Sequence, residues 1–382
     1  ALSCEKSNAQ DVFAQPLTMY KITIISNIAP KYREAIYQLI DGTYDCEWYF
    51  GQNNTDIEGM DLTKLRHVHI VRNHALFGRW YWQTGVVRQL FKNDTFLVTG
   101  ELFCLSTWFF LFLCRLFRKK KIYLWTHGWY GKETSSKRFL KKIYFRQADG
   151  ILLYGNHAKR LMLNEGFDTK KLSVIHNSLD YPGQLRLRDE MAVTEIFRRH
   201  FNNSHKTLIF IGRLTEVKRI DLIIDAVAEL KRQGKIFNVV LVGDGIVKDR
   251  LREQAGKNEI NVWFYGACYD DRINAELLYN ADLCVSPGNV GLTAIHSMMF
   301  GCPVLTHNRF DLQMPEFEAI KEGETGAFFA YNDTKALADA IERWFSSHNA
   351  DRDKVRRACY KEIDSSWTPR FQIEVIKSVF DK

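Results

Sequence analysis

The sequence predicts an α/β protein of two doubly wound, mainly parallel domains that face each other across a cleft. Three observations predict it. The chain has 382 residues, too many for one ordinary core and suited to two domains. From Tyr20 onward, short β-rich runs alternate with amphipathic helical stretches, the rhythm of a parallel sheet covered by helices. That rhythm breaks over the polar stretch 178–205 and then starts again.

In the first half, YKITIIS (20–26) reads as a strand, followed after Pro30 by a helical stretch to about Ile40. CEWYF (46–50), HVHIV (67–71) and TFLVTG (95–100) are further strands. An apolar helix at 103–118 precedes strand KIYLWTHG (121–128), a basic helix at 134–147 and strand DGILLYG (149–155). A helix at 156–166 and strand KLSVIHN (171–177) complete this half. The interval 178–205 is irregular in pattern, with a helix near 191–201.

The second half opens with strand TLIFIGR (207–213) and a helix at 219–234. FNVVLVGDG (237–245), NVWFYG (261–266) and DLCVS (282–286) are strands separated by helices at 246–256 and 271–280. Helix 291–300, strands PVLTH (303–307) and TGAFFA (325–330), helix 334–347 and two closing helical stretches follow. The domain map is therefore an extension at 1–18, a first domain at 19–180, a linker at 181–205 and a second domain at 206–366. A closing helix at 367–382 has a return to the first domain open to it. Met19, just ahead of a strand, is a possible natural start, and the segment before it has no secretion-signal pattern.

Composition narrows the class. With 46% apolar and 26% charged residues, the chain is globular. Its eight cysteines are scattered without CxxC or paired His/Cys spacing, which reads as buried thiols in a reducing, cytosolic setting and gives no metal site. Residues 1–180 hold 25 Lys/Arg against 16 Asp/Glu, a net of +9, whereas 181–382 carry a net of −1. The first half is thus expected to face something anionic: a membrane surface, a phosphorylated substrate or nucleic acid. Nucleic-acid binding explains the charge and none of the second-half motifs.

The apolar run LFCLSTWFFLFLC before Arg115 is 13 residues long, short of the ~20 a span needs. It reads as a helix of the first domain. The RLFRKKK tail (115–121) and the helix in KETSSKRFLKKIYFR (132–146) suit contact with anionic headgroups. The alternative is a core helix with a solvated basic end.

Two segments carry the chemistry. In IGRLTEVKRID, Gly212 and Arg213 sit just beyond a strand and Lys218 begins a helix. A glycine there admits close approach of a ligand, and two cations at the carboxyl edge of a sheet suit a diphosphate. In SPGNVGLTAIHSMMFGCPV (286–304), a loop without carboxylates runs into a helix. Its amides, from Gly288 through Asn289, Val290, Gly291 and Leu292 to Thr293, are expected to be unpaired and to favour an anion, as phosphate does and a metal does not.

The GRLTEVKRIDLIIDAV segment resembles the GRLxxEKGxDxLIxA pattern of the family-four (group 1) glycosyltransferases of the GT-B fold, including those of bacterial surface-polysaccharide assembly. LVGDG, VWFYG, AELLYNADLCVSPG, GLTAIHSMMFGCPVL and PEFEAIKEGETGAFF continue the resemblance in order over roughly 206–345. In the first domain, NIAPKYREAI resembles the PxYR segment that some members of the family carry after the first strand, and THGWYG stands where the family has a histidine near the transferred sugar.

The resemblance implies two Rossmann-like domains, with nucleotide-sugar binding by the second and acceptor binding by the first. Arg213 and Lys218 fall on the diphosphate pair. The donor site would include Gly212, Gly243, Tyr265, Gly266 and the loop 288–293. Tyr32 and Arg33 fall on the acceptor side. His127 matches the residue that contacts sugar hydroxyls and assists the leaving group; the alternative is a histidine packed beside Trp125 and Trp129. The family's paired glutamates, separated by seven residues, are replaced here by Gly288 and His296.

A histidine still hydrogen-bonds a ribose diol, a glycine offers only backbone, and Asn289 stands next to it. The implied activity is transfer of a sugar from a UDP- or GDP-linked donor to a polysaccharide or lipid-linked acceptor, such as a polyprenyl-linked oligosaccharide. Retention of configuration and no metal or other cofactor are expected. The expected place is the cytoplasm, at the inner face of the membrane. A degenerate nucleotide-sugar-binding protein and a GT-B nucleotide-sugar epimerase are the alternatives.

Overall fold

The computed structural model describes residues 21–52, 57–117, 119–348 and 351–380. The expected extension, Met19, Tyr20 and Arg118 of the basic tail lie outside them. The first domain is built on strands β1 (Lys21–Ser26), β2 (Asp45–Gly51) and β3 (Val68–Val71), a hairpin of β4 (Asn73–Phe77) and β5 (Trp80–Gln83), then β6 (Thr95–Thr99), β7 (Lys121–Thr126), β8 (Gly150–Leu153) and β9 (Leu172–Val174). Helices α1 (Glu34–Thr43), α2 (Leu105–Leu116), α3 (Ser135–Arg146) and α4 (Asn156–Asn164) cover it.

The main sheet has the order β3-β2-β1-β6-β7-β8-β9 and every pair is parallel. Residues such as Ile22, Ile24 and Ile25 are buried on both faces, as a sheet sandwiched between helices demands. The hairpin β4–β5, antiparallel and outside this sheet, was not among the expected elements.

Residues 181–205, expected as a linker irregular in pattern with a helix near 191–201, fold as α5 (Tyr181–Glu190), which was not expected, and α6 (Ile196–Phe201), which falls within the expected helix. The apolar pattern of YPGQLRLRDE is thin, so periodicity misses α5. Its start signals are present all the same: Asp180 accepts the Gly183 amide as an N-cap and Pro182 sits in the first turn. Phe197 of α6 is buried in the second-domain core.

The second domain continues with β10 (Thr207–Ile211), α7 (Asp221–Arg232), β11 (Asn238–Val242), α8 (Lys248–Lys257), β12 (Val262–Gly266), α9 (Asp271–Asn280) and β13 (Leu283–Ser286). Next come α10 (Thr293–Met299), β14 (Val304–His307), β15 (Gly326–Phe329), α11 (Thr334–His348), α12 (Arg352–Ser366) and α13 (Pro369–Phe380). Its parallel sheet has the order β12-β11-β10-β13-β14-β15.

In both sheets the chain winds outward one way and then returns to the middle to wind the other way. The reversals fall between β1 and β6 and between β10 and β13. A crevice opens beyond the carboxyl ends of the strands at such a reversal, and ligands of doubly wound sheets bind there.

Helix α13 leaves the second domain and packs on the first. Ile373, Ile376 and Val379 are part of the first-domain core, and the Phe380 ring lies 4.7 Å from that of Tyr123. At the crossing, the Ser178 hydroxyl donates to Gln372 Oε1 at 2.6 Å, and Gln372 Nε2 donates to the His176 carbonyl at 3.0 Å.

Candidate functional site

The first-domain crevice holds Tyr32, Arg33 and His127. Arg33 follows β1 and is buried, donating to the hydroxyls of Tyr37 at 3.1 Å and of Tyr154. Its guanidinium lies 5.0 Å from the Trp125 ring centre. It helps line a cavity of about 150 Å³ with Asn27, Tyr32, Glu101, His127 and Tyr154. Tyr32 also lines a larger interdomain groove of about 850 Å³, whose opposite wall includes Cys268 and Asn274.

His127 stands at the end of β7. Its loop is braced from below by Lys141, whose ammonium donates to the Gly128 carbonyl at 2.7 Å and to Glu133 at 2.6 Å. Glu133 in turn accepts the amides of Tyr130 and Gly131. Burial, with the Arg33 and Lys141 charges nearby, pushes the His127 imidazole down to about 4. It is therefore neutral near pH 7.

His127 Nδ1 is buried without a hydrogen-bond partner among the described residues. The ring borders two spaces at once, the first-domain cavity and a seam shared with Phe310, Gln313 and Phe317 of the second domain. The ring packs 4.6 Å from that of Tyr154 and 5.9 Å from that of Tyr130, rather than on Trp125 and Trp129.

Across the cleft, Gly212, Arg213, Lys218 and the loop 288–293 gather at the reversal between β10 and β13. Gly212 has φ of +146°, a conformation that favours glycine. Arg213 is exposed. Lys218 Nζ donates to the Asn289 carbonyl at 2.7 Å. Burial lowers the Lys218 ammonium below its ordinary value, Glu316 opposes that, and Arg213 adds to it.

The loop departs from expectation in one respect. Two of its amides are spent inside the protein: Gly288 donates to the Lys218 carbonyl at 2.9 Å, and Val290 donates to Gln313 Oε1 at 2.9 Å. Gln313 is held by Thr306 Oγ1 at 2.8 Å and the His307 carbonyl at 3.1 Å. The amides of Asn289, Gly291 and Leu292 carry no hydrogen bond among the described residues, and α10 begins only at Thr293, whose hydroxyl donates to the Ile211 carbonyl. The cradle is thus smaller than the full run 288–293, because tight loop packing consumes donors first.

Gly288 is fixed by sterics. A Cβ there would fall 2.1 Å from the Val217 carbonyl oxygen and 2.7 Å from Lys218 Cα. The loop as folded admits no side chain at position 288. His296 lies on α10, partly buried, and burial pushes its imidazole down to about 4. Asn289 Oδ1 is buried without a partner among the described residues.

Gly243 and Gly266 lie farther along the same edge, at the ends of β11 and β12. The Gly243 amide donates to the Gly266 carbonyl at 2.7 Å, and a Cβ on Gly243 would come within 1.9 Å of the Gly212 carbonyl oxygen. Close backbone packing accounts for that glycine. Tyr265 is half-buried, with its ring 5.1 Å from that of Trp263.

Sequence reasoning passed over three residues in this region. Glu316 is buried and accepts a hydrogen bond from Asn177 Nδ2 of the first domain at 2.9 Å, while its Oε2 has no partner among the described residues. Its charge raises the ionisation range of Lys218 in its own domain and of Tyr32 and Tyr130 in the first domain. Glu318 accepts the amides of Asn156 and His157 at the start of α4, capping a first-domain helix from the second domain. Gln313 sets the loop. The signal for the carboxylates was available in PEFEA, two acids set among apolar residues.

Among the described residues, no group of three or more His, Cys, Asp and Glu is placed to hold a metal ion. No helix among them is long and apolar enough to cross a membrane.

Residues 193–362 match the family described as glycosyl transferases group 1. A Klebsiella pneumoniae relative, an uncharacterized 41.2 kDa protein in the cps region, is 22% identical over 245 residues, 61% of this chain and 64% of its own length. A GDP-mannose-dependent alpha-(1-6)-phosphatidylinositol dimannoside mannosyltransferase of Mycobacterium tuberculosis is 31% identical over 153 residues, 39% of this chain and 38% of its own. The chain thus spans less than two thirds of the length of these curated relatives.

The crystal structure of Anabaena HepE in complex with UDP superposes with a TM-score of 0.67 at 16% identity, covering 95% of this chain and 100% of that one. The likeness is one of fold. Residues 193–362 are thus similar in sequence to the group 1 glycosyl transferases, and the chain has the two-domain GT-B fold.

Proposed function

We propose that this chain transfers a sugar from a UDP- or GDP-linked donor to a glycan or polyprenyl-linked acceptor, with retention and without a metal. The carrying observation is that Lys218 holds the 288–293 loop at the β10/β13 reversal with Arg213 nearby, while Gln313, which accepts the Val290 amide of that loop, lines the same seam as His127. HepE was crystallised with UDP and the mycobacterial relative is named for GDP-mannose, which supports a nucleotide-sugar donor.

As the glycosidic bond breaks, negative charge grows on the departing diphosphate. Arg213 and Lys218 stabilise it, and the amides of Asn289, Gly291 and Leu292 hold its oxygens. Gly212 lets the diphosphate approach the backbone. Tyr265 and Gly266 meet the base, and His296 meets the ribose. His127, neutral in its buried setting, directs a sugar hydroxyl through a hydrogen bond. The acceptor enters the cavity lined by Tyr32 and Arg33. The reaction takes place at the cytoplasmic face of a membrane, with the basic segments 115–121 and 132–146 toward anionic lipid.

One observation favours a second reading, a nucleotide-sugar-binding protein without turnover: position 288 admits no side chain, let alone the missing carboxylate. A radiolabelled panel of UDP- and GDP-sugars, incubated with membrane extract, separates the two. Incorporation of label that falls about a hundredfold or more in Arg213→Ala is the expected outcome. Binding without incorporation supports the second reading. Free sugar released without an acceptor points to an epimerase-type reaction, and an unchanged rate in Arg213→Ala overturns the diphosphate assignment.

A further inference from the structure

The outer face of the first domain carries an apolar surface that no described element covers. Helix α2 buries Phe110, Leu111 and Cys114 but turns Phe109, Phe112 and Leu116 outward, the last two 55% and 62% exposed. Steps of three and four residues set them in one stripe along the helix. Beside it stands the β4–β5 hairpin, with Leu76 and Phe77 exposed near its tip and the Trp82 ring 6.2 Å from Phe109. Phe91, 74% exposed, lies 6.5 Å from the ring of Phe117.

The hairpin is fixed to α2. The Tyr81 amide donates to the Phe103 carbonyl at 3.1 Å, and the Gln83 amide donates to the Ser106 hydroxyl at 3.1 Å. This is a built surface, and exposed large apolar side chains gathered beside one another and rimmed by charge mark a contact.

Charge identifies the occupant. Residues 68–147, which supply the whole patch, contain 15 Lys/Arg and only 3 Asp/Glu. All three acids are engaged elsewhere: Asp94 pairs with Lys120, Glu133 with Lys141, and Glu101 faces the first-domain cavity. Arg72, Arg79, Arg88, Lys92 and Arg115 are exposed, and none forms an ion pair with an acid among the described residues. A second copy meeting this face through a two-fold axis would set these cations against their own kind. An anionic bilayer meets both requirements, giving the aromatic rings an interfacial layer and the cations their counter-charge.

We infer that this face docks on a membrane rich in anionic lipid. Phe77, Phe91, Phe109 and Phe112 enter the boundary between headgroups and acyl chains, and the surrounding arginines and lysines sit on the headgroups. The inference rests on the peripheral association proposed above and replaces a contact of charge alone with insertion of a defined aromatic surface.

Co-sedimentation of the full chain with phosphatidylcholine vesicles, with or without phosphatidylglycerol, tests it. The wild type is expected to pellet with the mixed vesicles and not with the neutral ones. The double variant F109S/F112S is expected to bind the mixed vesicles about tenfold or more weakly while keeping the wild-type melting temperature. The same variant should keep its rise in melting temperature with UDP or GDP, a separate readout of the second-domain site.

Equal binding by wild type and variant would overturn insertion and leave a contact of charge alone. A wild type that stays in the supernatant with both vesicles would overturn membrane docking altogether. A wild-type dimer in sedimentation velocity, dissociated by F109S/F112S, would assign the face to a protein interface and overturn the proposal equally.

Discussion

Glu316 of the second domain and Asn177 of the first are joined by a buried hydrogen bond of 2.9 Å, from Asn177 Nδ2 to Glu316 Oε1. The contact fastens the loop after β9 to the turn that follows β14, beside the cleft. Burial raises the Glu316 carboxyl above its usual range, and the Asn177 bond works against that rise. Asn177→Ala removes the donor and leaves a buried carboxyl unsatisfied, at an expected cost of about 1–3 kcal/mol. A double-mutant cycle in urea with Glu316→Leu checks it: the pair should lose less than the two single losses added together.

Glu318 caps α4 across the domain boundary, accepting the Asn156 amide at 2.7 Å and the His157 amide at 2.6 Å. Glu318→Ala should lower stability by about 1–2 kcal/mol, since both the cap and an interdomain tie are lost. Denaturant melts of the purified chain measure it. Glu318→Gln, which keeps an acceptor oxygen, should recover part of the loss.

Placing a glutamate at position 288 is expected to harm the protein. With Val217 O only 2.1 Å from the site of a Cβ, Gly288→Ala and Gly288→Glu should each cost about 2 kcal/mol or more and displace the Lys218 backbone. Neither should raise turnover. A gain in sugar transfer by Gly288→Glu would mean that the loop adopts another path when donor is bound.

The His127 imidazole is held near 4, below its ordinary 6.5. The unfolded chain therefore binds a proton that the folded chain refuses between those values. Stability present above pH 6.5 is lost as pH falls through this window, by about 2 kcal/mol at pH 5 from this group. His127→Gln should flatten that part of the stability–pH curve. An unchanged slope in melts from pH 7 to pH 5 would count against the buried neutral state.

Both sheets were legible from the sequence, because strands buried on two faces are near-continuous apolar runs, as in TLIFI and NVVLV. Helix α5 was not legible from its pattern, since Leu185 and Leu187 alone cannot mark a face, although Asp180 and Pro182 announce its start. The β4–β5 hairpin escaped because its strands are short, β4 is largely exposed, and neither strand alternates cleanly. At the site, position along the chain placed Arg213, Lys218 and the 288–293 loop at one edge. It could not reveal that Gly288 and Val290 spend their amides internally, since the acceptors, Lys218 and Gln313, are distant in sequence. PEFEA marked Glu316 as an acid among apolar residues, but its partner, 139 residues away, was out of reach of local pattern.

Helix α13 has a consequence for biogenesis. Ile373, Ile376 and Val379 supply part of the wall against which the opening strands of the chain pack, yet the ribosome delivers them only after the entire second domain. The amino-terminal half must therefore wait, partly open, until that late segment arrives, and during the wait it is a natural client for chaperones. A fragment cut at the domain boundary would carry this exposed wall permanently, so dissecting the protein into halves calls for α13 to be supplied alongside the first of them.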